Sequence, residues 1–104
     1  MSTAPTSVAK ASVLINHEVG LHARPSVKLT KLAKGFGARI HLALDERGPW
    51  IDAKSIVKVM ATKAPKGAML FLRAEGSDAR DAVAALVALV ERNFDEGDAH
   101  AVAP

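Results

Sequence analysis

The chain has 104 residues, of which 49% are hydrophobic and 24% charged, with no cysteine and a formal net charge of +3. That length holds one domain with one core, that composition excludes a wholly disordered chain, and the missing cysteines exclude disulfides, thiolate zinc sites and thiol nucleophiles. No apolar run approaches the roughly 20 residues that cross a bilayer, and residues 1–10 lack the charged and apolar regions of a secretory signal, so a cytoplasmic protein without membrane insertion is expected.

The charge is uneven. Residues 1–74 carry 12 Lys and Arg against 4 Asp and Glu, a balance of +8, whereas residues 75–104 carry 2 against 7, a balance of −5. Nucleic-acid binding calls for basic groups interleaved with stacking aromatics. Here aromatics are 4% and tyrosine is absent, so an acidic or phosphorylated protein partner fits the basic balance at least as well.

Residues 1–10 and 95–104 read as flexible tails, Ser/Thr/Ala/Pro-rich at one end and acidic at the other, around a folded unit of residues 11–94. Residues 11–18 are β-branched and apolar and predict a strand. After the Gly20 to Ser26 segment, Val27, Leu29, Leu32, Ala33 and Phe36 fall near helical spacing, with Lys28, Lys31 and Lys34 on other faces and Gly35 or Gly37 at the end. Residues 38–44 alternate as a strand, residues 45–49 turn, and residues 50–53 return as a short strand. Residues 54–61 predict a short helix, broken by Pro65, Lys66 and Gly67. Residues 68–74 form an apolar strand. Gly76, Ser77 and Asp78 make a turn with a capping residue, and residues 79–94 form a long Ala/Val/Leu helix. The order β-α-β-β-α-β-α predicts an α+β open-faced sandwich: a four-stranded antiparallel sheet with three helices on one face.

One segment carries chemistry. Pro25 has no N–H to lose in a helix's first turn, so the helix begins near Ala23 and His22 stands at its entrance. Unpaired N–H groups and the positive end of the dipole make that entrance an anion site. The neutral imidazole is a nucleophile. A phosphoryl group on it carries about two negative charges, within reach of the helix amides, the Arg24 guanidinium and the Ser26 hydroxyl. A lone histidine at a helix start is more often a cap or an exposed ring than a nucleophile, and an arginine such as Arg24 is usually just solvated. His17 is a candidate for lining the same pocket. His17, His22 and His41 lack the close spacing of a metal site, and no metal or cofactor is expected.

The run Gly20-Leu21-His22-Ala23-Arg24-Pro25-Ser26 resembles the active-site motif of the HPr family, the histidine phosphocarriers of the bacterial phosphoenolpyruvate-dependent phosphotransferase system. Asp52-Ala53-Lys54-Ser55-Ile56 resembles the family's second signature, and the likeness continues through Lys66-Gly67, Ala74-Glu75-Gly76 and the last helix, over about residues 11–94. The resemblance implies that His22 is phosphorylated on Nδ1 by an enzyme I-type donor and dephosphorylated by an enzyme IIA-type acceptor, without independent turnover. It implies that Arg24 neutralises the phosphate, and that Ser55 is the target of an HPr kinase/phosphorylase where that enzyme exists. It implies a docking face of Ala23, Arg24, Val27, Ile56, Val57 and Met60. The turn at residues 45–49 is about two residues longer than in many sugar-type members. The run from Ala85 to Glu96 resembles the ending of the nitrogen-related, NPr-type branch, towards which the reading leans.

From the residues alone, Ser55 is also a helix N-cap, Val57 is as compatible with core as with interface, and the lysine triplet with a solvated face. The reading left standing beside the carrier is a non-carrier regulatory module controlled at Ser55. Nothing demands more than a monomer.

Overall fold

The computed structural model describes residues 7–95. The elements run β1 (Val8–Leu14), α1 (Ala23–Lys34), β2 (Arg39–Ala43), β3 (Ile51–Asp52), α2 (Ile56–Ala61), β4 (Met69–Glu75) and α3 (Ala79–Glu91), followed by a single 3-10 turn, Asn93–Asp95. The four strands form one antiparallel sheet in the order β1-β4-β2-β3. This is the predicted open-faced sandwich.

Alternation sorts each strand into two faces. Val13 of β1, Ile40 and Leu42 of β2, and Leu70, Leu72 and Ala74 of β4 point into the core. Leu29 and Ala33 of α1 and Ala82, Val83, Leu86, Leu89 and Val90 of α3 close over them. Each of the large side chains in this layer contributes about 1.5–3 kcal/mol by leaving water.

The boundaries differ from expectation in instructive ways. β1 starts at Val8, not residue 11, because β4 runs on to Glu75 and offers Val8 a partner; Val8, Ala9 and Lys10 are therefore sheet rather than tail. β1 also ends at Leu14, not residue 18. Beyond it, Ile15 N–H donates to the Ala68 carbonyl (2.9 Å) and Gly67 N–H to the Ile15 carbonyl (2.7 Å), and the chain then turns away. α1 buries Pro25, Ser26, Leu29, Thr30 and Ala33, so its inward stripe is set one position round from the purely apolar one and Val27 faces out. Asp78 does precede α3, but its carboxylate makes no cap bond there. It accepts instead from Gly37 N–H (2.9 Å) and Ala38 N–H (2.8 Å), fixing the entry to β2. The last helix stops at Glu91, and Phe94 is buried from the turn that follows.

Candidate functional site

The site is built by a loop pressed against a second loop. Gly20 has φ +65, and a Cβ there would lie 2.0 Å from the Ala64 carbonyl oxygen and 2.9 Å from Pro65 Cα. Only glycine permits that approach. The contact lets Leu21 N–H donate to the Ala64 carbonyl at 2.8 Å, and Leu21 itself is buried in the core.

The next residue, His22, is the N-cap of α1, with extended backbone (φ −82, ψ −165) and a side chain that makes no cap hydrogen bond. Its carbonyl accepts from Ser26 N–H at 2.9 Å. The ring is exposed, as are Ala23 and Arg24. The Ala23 and Arg24 amides head the helix, where no intrahelical acceptor exists, and Pro25 has no N–H to compete. No acidic residue lies in the first turn, so the positive helix end is not neutralised from within.

Ser26 departs from expectation. It is 0% exposed, and its hydroxyl donates to the Leu21 carbonyl at 2.9 Å. It is committed to the loop and is not available to a phosphate oxygen. His17 is similarly engaged: its Nδ1 accepts from Val19 N–H at 3.2 Å, and its ring meets Phe94 edge-on with centroids 5.7 Å apart. That ties His17 to its own loop and to the C-terminal turn. His41 lies on the outward side of β2, so the three histidines do not converge. Among the described residues no group of three or more His, Cys, Asp or Glu side chains converges as metal ligands do.

Ser55 is the N-cap of α2, its oxygen accepting from Lys58 N–H at 3.3 Å. α2 packs against α1. Val27 (51% exposed), Val57 (73%) and Met60 (39%) stay on the surface, while Ile56 is half-buried. That exposure removes Val57 from the core.

The sequence reading missed three contributors. Val19 is an exposed apolar residue in the loop that delivers His22. The Ala64–Pro65 backbone is the abutment for Gly20, and its only signal was the turn chemistry of Pro65 and Gly67. Lys28, read as surface, donates from Nζ to the Phe94 carbonyl at 2.9 Å, joining α1 to the terminal turn.

Fold and site place an exposed histidine at a helix start, on an open-faced sandwich, rather than in a cleft. The family model described as the phosphotransferase-system HPr component phosphorylation site matches residues 9–92. Phosphocarrier protein HPr of Cupriavidus necator is 40% identical over 84 residues, covering 81% of this chain and 92% of that one. Phosphocarrier protein NPr of Escherichia coli K12 is 37% identical over 87 residues, covering 84% and 96%. The crystal structure of HPr-C-His from Thermoanaerobacter tengcongensis superposes with a TM-score of 0.78 at 33% identity, covering 85% of this chain and 97% of that one. The chain belongs to the HPr family of phosphotransferase-system phosphocarriers.

Proposed function

We propose that the chain is a stoichiometric phosphoryl carrier, without turnover of its own, in the cytoplasm. The His22 ring nitrogen attacks phosphorus on an enzyme I-type donor. The N–P bond forms as the donor's bond to phosphorus breaks, and the reverse attack by an enzyme IIA-type acceptor releases the group. The observation that supports this reading best is the exposed His22 ring at the head of α1, free of any cap bond, with no carboxylate in the first turn. The incoming charge meets the Ala23 and Arg24 amides and the Arg24 guanidinium. Favourable contacts with a helix terminus are worth about 0.3–1 kcal/mol each, modest enough for the group to be passed on.

Val27, Val57 and Met60, with Ala23, Arg24 and Ile56, are the docking face for both partners in this proposal, and a monomer suffices. The nitrogen-related branch, with a regulatory role, rests on the likeness of residues 85–96 to that branch's ending. A second reading, a contact-signalling module controlled at Ser55, draws on the position of Ser55 beside exposed Val57 and Met60. A kinase-added phosphate there places about two charges against an apolar patch.

The test is incubation with enzyme I and labelled phosphoenolpyruvate. Acid-labile label that disappears in His22→Ala is the expected result. Label that survives that substitution, or no label on the intact chain, rejects the carrier and leaves the binding module.

A further inference from the structure

The uncovered face of the sheet, on the side away from α1, α2 and α3, carries chemistry that the phosphocarrier reading does not use. One row across the sheet aligns Lys10 of β1 with Arg73 of β4, and Arg73 with His41 of β2. All three sit at outward positions, since their strand neighbours Ala9, Ala11, Leu72, Ala74, Ile40 and Leu42 point inward. Directly opposed like charges destabilise a strand pair, so Lys10 facing Arg73 adds no pairing energy to the sheet. Among the described residues neither forms an ion pair with a carboxylate.

Beside this row lies Trp50, the only tryptophan in the chain, with the Arg73 guanidinium carbon 5.8 Å from its ring centroid. Lys10, Ser12, Glu46, Trp50, Phe71 and Arg73 line a concavity of about 310 Å³. That volume is at the small end of those that hold compact ligands. Its walls combine two cations, one carboxylate and a hydroxyl with two aromatic rings. The cations and the rings match the two chemistries of a nucleotide: anionic oxygens for charge-assisted bonds, and a planar base for stacking, as on other aromatic platforms.

We propose that this concavity binds a nucleotide, its phosphates between Lys10 and Arg73 and its base against Trp50 and Phe71. The site lies on the opposite layer from His22, so occupancy leaves the histidine accessible, and the proposal stands or falls independently of the carrier reading.

The sole indole is its own reporter. The full-length chain, excited at the red edge of the indole band, is titrated with ADP, with adenosine and with inorganic phosphate, and equilibrium dialysis of ADP provides a second readout. Saturable quenching by ADP is expected, with adenosine and inorganic phosphate each at least tenfold weaker. Lys10→Gln, exposed on the edge strand, is expected to weaken ADP by about tenfold, the scale of one charge-assisted hydrogen bond, and His22→Ala to leave it unchanged. No saturable quenching and no ADP retained in dialysis overturns the proposal. So does adenosine binding equal to ADP, which removes the cations, or phosphate binding equal to ADP, which removes the rings. Binding that is unaltered in both Lys10→Gln and Arg73→Gln overturns it as well.

Discussion

Gly20→Ala is the sharpest probe of how the site is held. At φ +65 any L side chain is strained, by about 1–2 kcal/mol. Its Cβ would also sit 2.0 Å from the Ala64 carbonyl oxygen, a backbone atom that cannot swing aside. The two loops must separate, which weakens the Leu21 N–H to Ala64 carbonyl bond of 2.8 Å, worth about 0.5–1.5 kcal/mol. Lifting Leu21 partly from the core forfeits a fraction of its roughly 1.5–3 kcal/mol. The total is about 2–5 kcal/mol. Gly67→Ala is the control: φ is +93 there, but no atom lies within 4 Å of the added Cβ. It therefore pays the conformational cost alone, about 1–2 kcal/mol. Urea denaturation with m held constant measures both. A Gly20→Ala loss no larger than that of Gly67→Ala would show that close loop approach does not hold His22 in place.

Three further outcomes are expected. Ser26→Ala leaves the buried Leu21 carbonyl without its donor and lowers stability by about 1–3 kcal/mol, read as a fall in Tm of roughly 4–8 °C per kcal/mol; no loss means that the hydroxyl does not pin the loop. Val57→Asp, at a position 73% exposed, changes stability by less than about 0.5 kcal/mol but slows phosphoryl transfer about tenfold or more by charging an apolar contact; unchanged transfer kinetics at limiting enzyme I would remove α2 from the docking face. The side-chain hydrogen bond from Arg92, ahead of its charge, holds the Asp95 carboxyl below its ordinary 3.8. Its pKa is lower in the folded state than in the unfolded one, so its stabilisation is complete above the ordinary value and is lost as pH falls through the lower folded value. Amide protection in the Asn93–Asp95 turn, taken relative to the intrinsic exchange rate at each pH, should fall over that acidic window in the native chain and not in Asp95→Asn, whose turn no longer titrates.

Element order and type were legible because hydrophobic periodicity reports burial, and burial decides which strands and helices form. His22 and Arg24 were legible because Pro25 marks a helix's first turn, and a histidine one turn earlier has to stand at its mouth. What failed was the fate of polar groups. A serine after a histidine looks like a second phosphate donor in sequence, but whether its oxygen faces water or a buried carbonyl depends on Leu21, which the core draws inward. The same holds for Asp78, whose carboxylate reaches across to residues 37 and 38 rather than back to its own helix. Strand ends failed for a related reason. Val8 has little pattern of its own and is sheet because Glu75 lies opposite.

The burial sequence through the site explains how so shallow a surface can hold the His22 ring in register. Gly20 and Leu21 are buried, His22, Ala23 and Arg24 are exposed, and Pro25 and Ser26 are buried again. Three residues are thus lifted into solvent between two anchors, and the Ser26 hydroxyl ties one anchor to the other through the Leu21 carbonyl at 2.9 Å. A free loop of that length would have to be ordered by each partner in turn, at a cost of about 1–2 kcal/mol per backbone residue. Here folding has already ordered it. In the proposed carrier, two partners of different shape would then meet the same ring with only their own side chains to arrange. In the proposed carrier the serine would thus act on the phosphate at one remove, by keeping the histidine's backbone where the helix amides point.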